Sequence, residues 1–133
     1  MESEPARCRV PDMPRAMIVD DSRAVRMILS RILRQIGFEV CEAADGCEAL
    51  AKLSEESASL ILVDWNMPKL NGLGFVQQLR SDPSKNDIKI VMVTTETEVD
   101  QVAAALEAGA NEYVMKPFTA EMISDKLQLL GTV

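Results

Sequence analysis

Acidic, hydroxyl and amine side chains stand at the ends of the most apolar runs of this chain. "AMIV" leads into Asp20 and Asp21, "LILV" into Asp64, "IVMV" into Thr94 and Thr95, and "EYVM" into Lys116 and Pro117. If these runs are parallel strands of one open sheet, their carboxyl ends share an edge, and such sheets place their sites there. Three carboxylates, a hydroxyl and an ammonium would then meet. Two carboxylates about 4 Å apart repel by roughly 4 kcal/mol at an effective dielectric of 20, so three need a cation or a raised pKa. Lys116 balances only part of that charge. All-oxygen ligation favours a hard ion, and few protein ligands with room for water suit Mg²⁺ better than Ca²⁺. Such an ion beside a lysine is what phosphoryl chemistry uses to offset charge on the transferring group.

The elements that must position these residues are legible as alternating short β-rich runs and helical patterns, the signature of parallel strands joined by helical crossovers. The strands are expected at "AMIVD", "FEVCEA", "LILVD", "IKIVMVT" and "EYVM". "LILV" and "IVMV" lack polar alternation, as inner strands covered on both faces should, so helices are expected on both sides. The first helix carries Val25, Ile28, Leu29, Ile32, Leu33 and Ile36 at helical spacing and ends at Gly37. Asp45, with Glu48 three residues on, opens the second; Asn71 or Gly72 starts the third, and Thr119 caps the fifth. An alanine-rich fourth helix is expected near Glu98 to Ala108, closed by Gly109. Residues 1–15 hold three of the six prolines and no periodicity, and are read as a flexible or loosely docked arm ahead of a domain spanning 16–133.

Composition removes whole classes of function. The 133 residues suit one domain with its own core. With no histidine, His-ligated metals and Ser-His or Cys-His pairs are excluded. A formal charge of −7 argues against broad attraction to nucleic acid or anionic lipid. No apolar run approaches a membrane span and no secretion signal is present, so a soluble cytoplasmic protein with reduced thiols is expected. Cys41 and Cys47 are expected as small apolar packing residues. Trp65 is expected partly exposed over the site, and Arg23 and Arg26 either help a partner dock or form a solvated face.

Taken singly, each site residue has an ordinary reading. A carboxylate at a strand end is commonly a turn or cap residue, Thr94 a β-branched strand end, Lys116 a solvated lysine and Tyr113 a packing tyrosine. Only the constellation promotes them. "VDD", "LVDWNMPKLNG", "VTTE" and "YVMKPF", in that order, together resemble the receiver domain of two-component response regulators over about Ala16 to Leu130. The resemblance implies an α/β, flavodoxin-like fold, a five-stranded parallel sheet in the order 2-1-3-4-5. It implies Asp64 as phosphoacceptor toward a sensor histidine kinase or phosphotransfer protein. Mg²⁺ would be held by Asp20, Asp21, Asp64 and the Asn66 carbonyl, and Lys116 and Thr94 would bind the phosphoryl oxygens. Tyr113 would swing inward as Thr94 moves, changing affinity for a downstream protein on the face of the fourth helix, fifth strand and fifth helix. Asn66 and Glu96 match the pair that tunes phosphate lifetime in chemotaxis-type receivers. The family also has a cis peptide before the proline matching Pro117, although sequence alone favours trans.

These features point to a phosphorylated, monomeric signalling protein, chemotaxis-type in the leading reading and a phosphorelay shuttle or a constitutive adaptor in the alternatives. An adaptor is usually marked by loss of a site residue, and none is lost. An aspartyl-phosphate phosphatase resembles a pattern with a second aspartate where Asn66 stands. A nucleotide binder would carry a glycine-rich loop where "DDSRAV" stands.

Overall fold

Successive strand residues point to opposite faces, and the apolar runs divide accordingly. The computed structural model describes residues 14–65, 67, 70–95 and 100–131. Its strands are β1 (Arg15–Val19), β2 (Glu39–Ala43), β3 (Leu60–Asp64), β4 (Lys89–Thr94) and β5 (Glu112–Met115). They alternate with helices α1 (Arg23–Ile36), α2 (Gly46–Leu53), α3 (Gly72–Arg80), α4 (Val102–Ala108) and α5 (Ala120–Leu129). All pairings are parallel and the order is β2-β1-β3-β4-β5, the expected doubly wound arrangement.

Met17, Val19, Ile61, Val63, Ile90 and Met92 pack with Ala49, Phe75, Val76, Leu79 and Ala105, which puts α2, α3 and α4 on one face. Ala16, Ile18, Leu60, Leu62, Val91 and Val93 pack with Leu29, Leu33, Ile123 and Leu127, which puts α1 and α5 on the other. Each fully buried aliphatic side chain contributes about 1.5 to 3 kcal/mol, so this two-sided burial is what holds the strand ends in line.

The caps are where the residue types place them. Asp45, Asn71 and Thr119 accept from the amides of Glu48, Gly74 and Met122 at 2.8, 2.9 and 3.1 Å. Gly37 and Gly109 end α1 and α4 at φ 123° and 126°, where a side chain would be strained. The Lys116–Pro117 bond is cis.

Several particulars differ from the sequence reading. The expected arm overlaps β1 by one residue: Arg15 pairs with Glu39 across the strands and Pro14 O accepts the Glu39 amide at 2.8 Å. Residues 1–13 lie outside the described residues. Glu98, where the fourth helix is expected to open, lies outside the described residues; within them α4 is Val102–Ala108, preceded by Gln101 with no side-chain cap. A 3-10 turn at Pro83–Lys85, capped by Asp82, was not anticipated. Cys41 is half-buried, its Sγ 3.7 Å from Ala16 O, and burial pushes its thiol pKa up. Cys47 is exposed, not packed, because it falls on the outer side of α2 while Ala49 and Leu53 face the sheet.

Candidate functional site

The acidic cluster assembles at the carboxyl ends of β1 and β3. Asp20 follows β1 directly and is 2% exposed, Asp64 closes β3 at 5%, and Asp21 beside them is open to solvent. One carboxylate oxygen from each lies within 4.8 Å of the others. Asp20 Oδ1 accepts the Ser22 amide at 2.8 Å, an Asx turn that swings the chain into α1, whose first turn Ser22 Oγ then caps. Asp20 Oδ2 is buried without a hydrogen bond, and Lys116 Nζ stands 3.7 Å away. Burial raises the Asp20 pKa; the Ser22 amide and the Lys116 charge pull against it and only partly succeed.

Lys116 comes from beyond β5 and brings the compensating charge, its Nζ 3.4 Å from Asp64 Oδ1. Its amide donates to Thr94 O at 2.6 Å, which fixes the end of β5 against the end of β4. Thr94 is 1% exposed and its hydroxyl donates to the neighbouring Thr95 O at 2.8 Å. Tyr113 is half-buried two residues before the end of β5 and packs against the α2, α3 and α4 side of the core. Trp65 is partly exposed, as expected for the residue that carries the chain out of β3. Asn66 and Glu96 lie outside the described residues.

Two residues serve the site in ways the sequence did not announce. Gly72 begins α3 directly beneath β3: a Cβ there would lie 2.9 Å from Asp64 O and from Trp65 Cα, and 2.7 Å from Met92 Cε. Its only sequence signal was as a helix start. Arg26 donates to Asp20 O at 2.7 Å and to Glu42 Oε1 at 3.0 Å, so it braces the loop that carries the acidic pair and is neither free for docking nor merely solvated. Arg23 is exposed.

The residues present fit a hard divalent cation. Three converging carboxylates face one lysine, and the buried Asp20 Oδ2, which makes no hydrogen bond, would be available to such an ion. An α/β protein whose open parallel sheet carries an acidic cluster, a lysine and a hydroxyl on its carboxyl edge has the residue types that metal-assisted phosphoryl chemistry uses.

Comparison with known proteins gives that class its family. Residues 16–128 match the response regulator receiver domain, and the chain belongs to that family. It is a signalling protein of the two-component type. Over 119 residues it is 44% identical to the chemotaxis protein CheY1 of Helicobacter pylori, covering 87% of this chain and 96% of that one. The chemotaxis protein CheY homolog of Campylobacter jejuni is 41% identical over the same length, covering 92% of that protein. The structure of Vibrio cholerae CheY4 superposes with a TM-score of 0.82 at 37% identity, covering 88% of this chain and 98% of the other. No helix among the described residues is long and apolar enough to cross a membrane.

Proposed function

We propose that the protein is a chemotaxis-type response regulator in which Asp64 accepts a phosphoryl group from a phosphohistidine on a histidine kinase or phosphotransfer protein. The observation that carries this reading is the convergence of Asp20, Asp21 and Asp64 within 4.8 Å beside Lys116. An Asp64 carboxylate oxygen attacks phosphorus, the phosphorus–nitrogen bond breaks, and its electron pair returns to the imidazole of the partner, leaving an acyl phosphate. Mg²⁺ held by Asp20, Asp21, Asp64 and the Asn66 carbonyl would supply charge neutralisation to the phosphoryl oxygens. Lys116, already 3.4 Å from the acceptor, neutralises a further oxygen and draws the acyl phosphate toward itself. The Thr94 hydroxyl leaves Thr95 O for a phosphoryl oxygen, a stronger acceptor because it is charged. Tyr113 follows Thr94 inward, and the face of α4, β5 and α5 changes its affinity for a downstream protein. Asn66 and Glu96 set how fast water reaches the acyl phosphate. The protein acts on no substrate but itself, and the working domain takes in Arg15, the first residue of β1.

Trp65, the only tryptophan and the neighbour of the acceptor, reports the test. Its fluorescence should change as Mg²⁺ is titrated in and again on adding acetyl phosphate, with mass spectrometry showing one added phosphoryl group. Asp64→Asn should abolish the second response. A wild-type protein that takes up Mg²⁺ but never gains the phosphoryl mass would overturn the proposal in favour of a binding-only adaptor.

A further inference from the structure

The edge strand β5 and helix α5 hold three side chains in contacts that phosphoryl transfer itself does not require. Glu112 opens β5, and its Oε1 accepts from Lys126 Nζ at 3.1 Å and from the Tyr113 amide at 3.0 Å. The same ammonium stands 4.9 Å from the centroid of the Tyr113 ring. One cation thus faces a carboxylate and an aromatic face together. The Lys126 and Glu112 side chains are 31% and 23% exposed, so water and salt screen the trio only in part. Tyr113 and Lys126 line a surface groove of about 300 Å³ that continues over Met115 and Met122.

We infer that Glu112 and Lys126 form a clamp that keeps the Tyr113 ring in this groove, and so set the fraction of molecules with the ring withdrawn before any phosphoryl group arrives. The inference rests on the reading of Tyr113 as the mobile side chain coupled to Thr94 and adds the regulation of that switch. When the ring leaves the groove, Lys126 loses the aromatic face. That attraction at a partly exposed position is worth roughly a two- to five-fold bias in an equilibrium. Glu112 supplies the order: a lone lysine stem samples many rotamers, whereas an ion pair from the adjacent strand holds the cation over the ring beforehand. Lys126 and Glu112 are positioning residues, since neither reaches the acidic cluster. A partner carboxylate that drew Lys126 off the ring would also free the ring, so partner binding and phosphorylation would strengthen each other, as linkage demands.

Tyr113 is the only tyrosine, so replacing it biosynthetically with 3-fluorotyrosine gives one fluorine resonance to follow. In unphosphorylated protein, Lys126→Met should raise the withdrawn population about two- to five-fold. Glu112→Gln should raise it less, and Lys126→Arg should restore the wild-type value. At saturating acetyl phosphate all three variants should still gain one phosphoryl group by mass, and far-ultraviolet circular dichroism should report unchanged helix content. If the wild-type resonance moves on phosphorylation but is the same in Lys126→Met as in wild type, the clamp is overturned and the switch reading stands. A resonance that does not move in phosphorylated wild-type protein overturns both.

Discussion

Lys116 and Arg80 are cations at opposite edges of the same sheet, and they are held in opposite ways. Arg80, at the end of α3, donates to Gly109 O at 3.0 Å, Lys85 O at 2.9 Å, Ile88 O at 2.6 Å and Asn111 Oδ1 at 3.0 Å. It ties α3, the 3-10 turn and the loop before β5 into one rigid base, and its stem lies so close over Gly109 that a Cβ there would be 2.6 Å from Arg80 Cγ. Lys116, at the carboxyl edge, instead stands 3.4 and 3.7 Å from two carboxylates, and leaves Asp20 Oδ2 without a hydrogen bond. Arg80 spends its charge on fixed bonds; the carboxyl edge keeps the buried Asp20 Oδ2 without a hydrogen bond, which costs stability and suits a cation. The sign of a mutation should therefore depend on the edge it touches.

The largest effect is expected at the amino edge. Arg80→Met keeps much of the stem and removes every donor: Lys85 O and Asn111 Oδ1 keep the amides of Ile88 and Ile90, but the part-buried carbonyls of Gly109 and Ile88 lose the guanidinium. Urea unfolding should show a loss of roughly 2 to 4 kcal/mol, the same with and without Mg²⁺. A loss below about 1 kcal/mol would make this edge no different from an ordinary exposed ion pair.

Gly72→Ala tests how tightly the reactive edge is supported from beneath. The added methyl meets backbone at Asp64 and Trp65, which cannot rotate away, so the cost should be about 1 to 3 kcal/mol. Because the push falls on the strand that carries Asp64, the proposed acceptor, slower phosphoryl uptake should accompany it. A stable variant with normal uptake would show that β3 and α3 separate freely.

At the carboxyl edge the sign reverses. Asp21→Asn removes one of three neighbouring negative charges, so the metal-free protein should melt higher, by the equivalent of about 0.5 to 2 kcal/mol, while Mg²⁺ binds more weakly. Unchanged Mg²⁺ affinity would remove Asp21 from the ligand set; a lower melting temperature would remove the repulsion on which the contrast between the edges depends.

The two edges also differ in how plainly the sequence announces them. Asp20, Asp21, Asp64, Thr94 and Lys116 are legible because each ends an apolar run, and strand polarity alone brings those ends together. The caps Asp45, Asn71 and Thr119 are legible because the residue that accepts a helix's first amide must sit next to it in sequence. Arg80 has no such signature. Its acceptors lie 5, 8, 29 and 31 residues away, three of them main-chain carbonyls that any residue could supply. Arg26 is hidden for the same reason, bonded to a carbonyl six residues back and to Glu42 on the neighbouring strand. Gly72 looks like a helix start and is also a point of close approach, which only the packing of α3 under β3 reveals. The opening of α4 is poorly marked because alanine favours helix throughout and the N-cap residue, Gln101, makes no side-chain cap hydrogen bond.

The smallest effect asks whether unsatisfied charge belongs to the whole carboxyl edge or to the site alone. Glu48 lies on that edge, in the first turn of α2, yet its Oε1 accepts the Ala44 amide at 2.7 Å and its Oε2 is 3.3 Å from Lys52. The Ala44 hydrogen bond, more than the lysine, holds its pKa below the ordinary glutamate value, whereas burial holds Asp20 above its own. The two signs give opposite pH slopes. A lowered folded-state pKa means the unfolded chain binds more protons, so the stability Glu48 contributes is present above its unfolded value and is lost as pH falls through the folded one. For Asp20 the folded state binds more protons, and stability in the absence of metal is lost as pH rises through its folded pKa. Glu48→Gln should therefore lower the melting temperature slightly near neutral pH, and the gap from wild type should close in acid, below the lowered Glu48 pKa. A gap of constant size at every pH would mean that Glu48 acts by shape and not by charge. Glu48 would then be no charge-paired counterpart to Asp20.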